Sequence, residues 1–194
     1  MRMAVVIVTG IPGVGSSTVL REAFKLDESL SKEFVVVNYG DVMLEVARGK
    51  NLVEHRDQLR KLPDETQREI QKLACEKIAT LGKNVIVDTH CTIKTPAGYL
   101  PGLPEWVLKS LKPKQLVIVE ASPEEIMRRR ATDETRQRDV EREKEIEEHQ
   151  NMNRAAAMAY AALTGACVKI IENHDGAVEE AAKEFLELLR FVKD

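Results

Sequence analysis

Aromatic residues are scarce in this chain and make up only 4% of its 194 residues. The core must therefore be built from aliphatic side chains, and few rings are available to stack the bases of a nucleic acid. Net charge is also low: 29 basic and 32 acidic residues leave a formal charge of −3 at pH 7. Without a basic surface a long polyanion has little to bind, so we expect no nucleic-acid partner.

Cysteines and long apolar runs are scarce as well. Cys75, Cys91 and Cys167 are far apart and show no CxxC spacing, which excludes a disulfide framework or a zinc site and agrees with a reducing compartment. No apolar run approaches the roughly 20 residues of a membrane-spanning helix, and the N-terminal apolar run is too short for a signal peptide. We expect a soluble, cytoplasmic protein without a membrane partner.

Five short apolar runs are present, each rich in β-branched residues. They are residues 4–8 (AVVIV), 34–37 (FVVV), 84–87 (NVIV), 116–119 (LVIV) and 167–171 (CVKII). Continuous apolar runs of this length are typical of strands buried on both faces of a parallel sheet. The intervening segments are long enough for crossover helices. The sequence therefore predicts an α/β fold, with a five-stranded parallel sheet and helices on both faces, in one domain over residues 1–194.

Helix starts are marked by capping patterns. Ser122, followed by a proline and two glutamates, predicts a capping box at the start of a helix. Asp64, followed three residues later by Gln67, predicts the same arrangement for a second helix.

The strongest motif follows the first predicted strand and precedes a helical pattern. It consists of Gly10, Ile11, Pro12, Gly13, Val14, Gly15, Ser16, Ser17 and Thr18. Glycines at such a turn allow the backbone amides to face an anion, and the following helix offers its N-terminus. The motif predicts a phosphate-binding loop (P-loop), with Ser17 as a magnesium ligand. A glycine-rich turn that binds nothing is the alternative.

The loop departs from the general pattern GxxxxGK[ST] at its one charged position, because Ser16 stands where lysine is usual. A cation must then come from elsewhere, and we expect it from an arginine of residues 128–138, with Lys94 as the alternative. Asp88 directly follows the third predicted strand, at the sheet edge where ligands bind, and could hold Mg²⁺. A helix cap or turn residue is the alternative for Asp88.

Five arginines fall within eleven residues, in the segment RRRATDETRQR. Guanidinium groups suit phosphate because they offer planar, bidentate donors. We assign the role of a phosphate clamp to Arg136 and Arg138. A solvated helix face explains Arg128 or Arg129 well, and the later TRQRD less well. A smaller basic group contains Arg56 and Arg60, four residues apart. His90 is the histidine nearest to the predicted chemistry.

Taken together, these stretches resemble the archaeal adenylate kinases. The resemblance spans residues 8–166 and rests on GIPGVGSST, VNYGDVM, HRDQLRKL, VDTHCTIKTPAGYLPGLP, DETRQRD and EEHQNMNRAAAMAYAALTGA. Of these, TPAGYLPGLP is the most distinctive. The resemblance implies a P-loop kinase fold with a short lid at about residues 128–142 and Mg²⁺ as cofactor. It also implies reversible phosphoryl transfer from ATP to AMP, giving two ADP.

The resemblance also implies residue roles. Residues 10–18 would cradle the ATP phosphates, and the substrate-binding residues on the AMP side would be Asn38, Gly40, Arg56, Arg60 and His90. Arg136, Arg138 and Asp88 would carry the catalysis. The family has been described as trimeric, so a homo-oligomer, formed through the long alanine-rich helix, is expected.

Two other functions remain open on sequence alone. The chain could be a different small P-loop kinase, acting on another nucleoside monophosphate or on a metabolite. It could also be a nucleotide-binding regulatory protein that has lost catalysis together with the lysine. Dependence of ADP formation on AMP distinguishes these from an adenylate kinase.

Overall fold

The computed structural model describes residues 3–132 and 142–193. Its main sheet has five parallel strands in the order β2-β3-β1-β6-β7. These strands are β1 (Val5–Thr9), β2 (Phe34–Asn38), β3 (Asn84–Asp88), β6 (Gln115–Glu120) and β7 (Cys167–Glu172). A separate antiparallel hairpin consists of β4 (Thr92–Thr95) and β5 (Gly98–Pro101). The predicted five-stranded parallel sheet is thus confirmed.

Helices connect the strands in the described part of the chain. Between β1 and β3 lie α1 (Ser16–Leu26), α2 (Glu28–Glu33), α3 (Tyr39–Gly49), α4 (Arg56–Leu59) and α5 (Asp64–Ala79). Beyond β5 lie α6 (Glu105–Leu111), α7 (Pro123–Thr132), α8 (Glu143–Thr164) and α9 (Val178–Lys193). No described helix is both long enough and apolar enough to cross a membrane.

The core has two layers because successive strand residues point to opposite faces of the sheet. Val6 and Val8 of β1 pack with α1 and α9, where Phe185 is fully buried. Val5 and Ile7 pack on the other face with α5, α6 and α8. Helices therefore cover both faces, as the apolar runs predict.

Two local predictions are wrong, each for a physical reason. Burial on both faces holds for β1 and β6 but not for β2 or β7, which form the sheet edges and leave Val36 exposed. Asp64 does not cap α5, because the helix starts at that residue and Pro63 occupies the cap position. The capping box at Ser122 is confirmed: its hydroxyl accepts from the amide of Glu125, whose carboxylate accepts from the amide of Ser122.

Candidate functional site

Several of the predicted functional residues lie at the carboxyl ends of three neighbouring strands. The loop of residues 10–18 follows β1, Asn38 ends β2 and Asp88 ends β3, and these strands are parallel neighbours. Asn38 and Asp88 are register partners in the sheet, and Asp88 is the partner of Val8 in β1. This is the edge at which open α/β sheets bind ligands.

The loop has the backbone geometry of an anion cradle. Gly13 and Gly15 have φ of 102° and 83°, which glycine adopts without strain. The amides of Gly13, Gly15, Ser16 and Ser17 donate to no acceptor in residues 3–132 or 142–193. Because α1 begins at Ser16 and has no acidic residue in its first turn, its positive end remains available to an anion.

Gly10 and Gly15 are required by close packing. A Cβ atom on Gly10 would lie 2.5 Å from Cγ2 of Val14 and 2.7 Å from the carbonyl oxygen of Val119. A Cβ atom on Gly15 would lie 2.6 Å from Nδ2 of Asn173. Larger residues would push the loop out of its present shape.

Two arginines at the end of α7 donate to carbonyl oxygens of the loop. Arg129 Nη1 donates to the carbonyl oxygens of Val14 (3.1 Å) and Gly13 (3.5 Å), and Arg130 Nε donates to that of Pro12 (2.7 Å). Arg128 and Arg129 both form ion pairs with Asp175. Lys94 lies in β4, with its Nζ 3.8 Å from a Glu145 carboxylate oxygen. Arg136 and Arg138 lie outside the described residues.

A second polar group lies beside the loop. Asn38 Nδ2 donates to Asp88 Oδ2 (3.2 Å), and Arg56 donates through Nη2 to Asn38 Oδ1 (3.1 Å) and through Nη1 to Asp41 (3.0 Å). Gly40 lies against this guanidinium, since its Cβ would be 2.5 Å from Cζ of Arg56. The structure thus brings together Asn38, Gly40, Arg56 and Asp88.

Arg60 is not part of this group. It lies at the end of the four-residue helix α4, its side chain is 82% exposed, and it pairs with Asp57 at 3.9 Å. The helix is too short for Arg56 and Arg60 to share a long face.

Asp88 is half-buried, and this environment changes its acidity. Burial raises the pKa of its carboxyl group, whereas the hydrogen bond from Asn38 and the charges of His90 and Arg56 oppose the rise. His90 is an exposed residue close enough to Asp88 to influence it. A carboxylate poised between burial and nearby cations is characteristic of a functional position.

Three comparisons with known proteins agree with this geometry. A family model described as an AAA domain matches residues 9–147. The adenylate kinase of Methanopyrus kandleri is 62% identical over 190 residues, which cover 96% of this chain and 97% of that protein. The adenylate kinase of Methanocaldococcus jannaschii is 55% identical over 192 residues, covering 98% of this chain and 100% of that protein. The chain belongs to the adenylate kinase family.

Solved structures that resemble this adenylate kinase family member support the fold alone. Shikimate kinase from Acinetobacter baumannii, solved with shikimate, superposes with a TM-score of 0.57 at 18% identity, covering 96% of this chain and 93% of that one. Shikimate kinase from Bacteroides thetaiotaomicron superposes with a TM-score of 0.52 at 17% identity, covering 97% and 99%. This likeness agrees with the α/β architecture of the described residues.

The residues of this family member fit a magnesium ion that is held mainly by phosphate oxygens and water. Ser17 has an exposed hydroxyl at the start of α1, and Asp88 supplies a carboxylate at the adjacent strand end. Among the described residues there is no cluster of three or more histidine, cysteine or acidic side chains that could cage a metal. One or two hard oxygen ligands suit Mg²⁺, which keeps several waters and binds with nucleotide phosphates.

Sequence reasoning missed the contacts that Asn173, Arg129 and Arg130 make with the loop. Asn173, directly after β7, donates through Nδ2 to the carbonyl oxygen of Val14 (2.7 Å), and its side chain is buried. Arg129 makes the contacts described above, although a solvated helix face explained it well in the sequence. A position directly after the last strand was the one available signal for Asn173, since ligand-binding loops follow strands at this edge.

Proposed function

We propose that the protein catalyses the reversible, Mg²⁺-dependent transfer of a phosphoryl group from ATP to AMP, giving two ADP, and so maintains the balance of adenine nucleotides. The observation that carries this proposal is the pair of anion-binding features at one sheet edge. The loop of residues 10–18 offers free amides after β1, and Arg56 with Asn38 offers donors after β2. Asp88, on the strand between them, lies where the two phosphate groups would meet.

The residues take distinct roles in this proposal. The free amides of Gly13, Gly15, Ser16 and Ser17, at and before the N-terminus of α1, bind the ATP phosphates. Arg56 binds the AMP phosphate, Asn38 orients Arg56 and Asp88, and Gly40 leaves room for the guanidinium. We also assign His90 and Arg60 to the AMP side. The reaction then requires the two nucleotides to be held in line, with positive charge around the transferred group.

Ser17 and Asp88 would hold the Mg²⁺ ion. When bound, the ion would neutralise negative charge on the phosphates. Asp88 must be ionised for this role. Because burial raises its pKa, the hydrogen bond from Asn38 serves to keep the carboxylate in place and charged.

A lid over residues 128–142 completes the site in this proposal, within a single domain that spans residues 1–194. Arg136 and Arg138 would clamp the transferring phosphates when the lid closes and excludes water. Replacing either one by alanine is expected to lower kcat by far more than threefold, because charged contacts of this kind contribute strongly to phosphoryl transfer. A change within about threefold for both would remove them from the clamp.

We further propose that the protein works in the cytoplasm as a homo-oligomer, a trimer by resemblance to its family. The long helix α8 supports this assignment, because Met158 and Leu163 are 61% and 65% exposed on it. Light scattering after size-exclusion chromatography of the unaltered protein and of a Met158→Ser, Leu163→Ser double variant tests it. We expect the variant to dissociate at concentrations where the unaltered protein is associated. A monomeric mass for the unaltered protein would refute it.

An acceptor panel tests the proposed reaction. Purified protein is incubated with ATP, Mg²⁺ and equal concentrations of AMP, CMP, UMP, GMP or shikimate, and ADP is measured. We expect rapid ADP formation with AMP and little without an acceptor. Faster turnover with another acceptor would identify a different small kinase, and slow ATP hydrolysis independent of any acceptor would favour a regulatory nucleotide-binding protein.

A further inference from the structure

The carbonyl oxygens of the phosphate loop are held by donors that lie outside the loop. Arg130 Nε donates to Pro12 (2.7 Å), and the carbonyl of Val14 accepts from both Arg129 Nη1 (3.1 Å) and Asn173 Nδ2 (2.7 Å). These contacts are made to carbonyl oxygens and leave the free amides of the loop without a partner in the described residues. They fix the orientation of the peptide groups that follow Pro12 and Val14.

In a trans peptide the carbonyl and the next N–H point in opposite directions. Holding the carbonyls of Pro12 and Val14 outward therefore directs the amides of Gly13 and Gly15 inward. These are the two loop glycines with positive φ, and neither amide donates to an acceptor in the described part of the chain. The external donors thus set the direction of two amides that form the anion cradle.

Asn173 is itself rigidly placed. Its side chain is buried and packs against Gly15. Its backbone amide donates to the carbonyl of Glu120 at the end of β6 (2.8 Å), and its backbone carbonyl accepts from Arg129 Nη2 (2.8 Å). The side-chain amide of Asn173 is therefore held in place where it donates to Val14, with little conformational freedom.

Arg129 is held just as firmly. Its side chain is only 24% exposed and forms an ion pair with Asp175 at 2.7 Å. The backbone amide of Asp175 donates to Glu125, which lies one turn before Arg129 on α7 (2.6 Å). α7 therefore fixes both the arginine and the residue that pairs with it.

We propose that Arg129 and Asn173 are positioning residues that shape the phosphate loop for its anion, in place of the lysine that position 16 lacks. A loop lysine attracts the anion by direct contact, whereas here the amides are aligned before the anion arrives. Such preorganisation removes the ordering cost from the binding step. The inference rests on the proposed function only in taking the anion to be the triphosphate of ATP.

Titration calorimetry with inorganic tripolyphosphate, without Mg²⁺, tests the cradle separately from catalysis. We expect Arg129→Ala to raise the Kd about 10- to 100-fold, the range that corresponds to the loss of a charge-assisted hydrogen bond. Arg129→Lys keeps a positively charged donor nitrogen, so it should raise the Kd less. Asn173→Leu, which has a similar shape and no donor, should raise it about tenfold. AMP binding should stay unchanged in every variant.

Arg190→Ala is the matched control, because it removes an arginine–aspartate ion pair of the same kind, to Asp27, without touching the loop. Its tripolyphosphate Kd should stay within about twofold of that of the unaltered protein. Thermal melts establish which variants fold. If Arg129→Ala does not, Arg129→Lys and Asn173→Leu provide the test.

In steady-state kinetics the positioning role predicts a raised KM for ATP with an unchanged KM for AMP. An unchanged tripolyphosphate Kd in the folded variants would overturn the inference, as would an equal loss of AMP binding or no binding of tripolyphosphate to the unaltered protein. If the unaltered protein forms no ADP from ATP and AMP but the variants lose tripolyphosphate, the proposed function fails and the inference stands. If the unaltered protein forms ADP from ATP and AMP but the variants bind tripolyphosphate as tightly as it does, the proposed function stands and the inference fails.

Discussion

Replacing Gly40 by alanine separates the binding of AMP from the stability of the fold. A Cβ atom at this position would lie 2.5 Å from Cζ and 2.9 Å from Nε of Arg56, too close for real contacts. Because the obstructed atoms belong to the end of a flexible side chain, Arg56 moves and α3 stays intact. The guanidinium then loses its hydrogen bonds to Asn38 and Asp41.

The expected effect on stability is small, whereas the expected effect on AMP binding is large. Alanine is a better helix former than glycine by about 0.5–1 kcal/mol, and an exposed ion pair contributes no more than about 1 kcal/mol. The free energy of unfolding should therefore change by less than about 1 kcal/mol. When Arg56 is displaced, the AMP phosphate loses a charge-assisted hydrogen bond. The KM for AMP should therefore rise about 10- to 100-fold.

A coupled assay of ADP formation, with AMP and ATP varied in turn, measures this effect, and denaturant unfolding measures stability. The KM for ATP should remain unchanged. Gly49→Ala provides the control, because it makes the same substitution in α3 where a Cβ atom meets nothing within 4 Å. A folded Gly40→Ala variant with an unchanged KM for AMP would show that Arg56 does not bind this substrate.

Three further predictions concern the rest of the site. Gly102→Ala should lower the free energy of unfolding by at least about 2 kcal/mol, because its Cβ would lie 2.8–2.9 Å from backbone atoms of His90 and Cys91. Denaturant titrations measure this change, and an unchanged midpoint would contradict the packing described. Asp88→Asn should lower kcat at least about tenfold in the same coupled assay while leaving AMP binding by calorimetry intact, because it removes a carboxylate placed for Mg²⁺; full activity would remove Asp88 from the catalytic group. The stability of the loop after β7 should depend on pH: hydrogen bonds to Glu125 and Glu172 raise the pKa of His174 above 6.5, so their stabilisation is complete below that pH and is lost as the pH rises through the raised value. On the acid side, burial opposes ionisation of Glu125, but the Asp175 amide and His174 lower its pKa to about 2, so that contribution disappears as the pH falls from 4.5 towards 2. Unfolding measured across this range should lose its alkaline slope in a His174→Gln variant, and an unchanged slope would exclude His174 as the cause.

The sequence predicted the main sheet because its signal is local. Five apolar runs mark five strands, and the glycine loop lies after the first of them, as expected. The β4–β5 hairpin was missed because its strands have only four residues each, and β5 contains glycine and proline, which weaken the strand pattern. The edge positions of β2 and β7 depend on strand order, which a run of apolar residues does not encode.

Site residues could be predicted from the sequence where they lie at the ends of neighbouring strands. Asn38 and Asp88 end adjacent strands, so their contact follows from topology. The contacts of Arg129 and Asn173 with the loop join residues more than 100 positions apart, and no local pattern indicates them. Arg129 was instead indistinguishable from a surface arginine, because its partners Val14 and Asp175 come from two different loops.

A crystal structure with a bisubstrate dinucleotide, in which two adenosines are joined by a chain of phosphates, tests the proposed function most directly. We predict that one end of the phosphate chain contacts the amides of Gly13, Gly15 and Ser16. The other end should contact Arg56, with Asp88 near the middle. A complex in which either end lies away from these residues would contradict the proposal that this sheet edge holds both nucleotides.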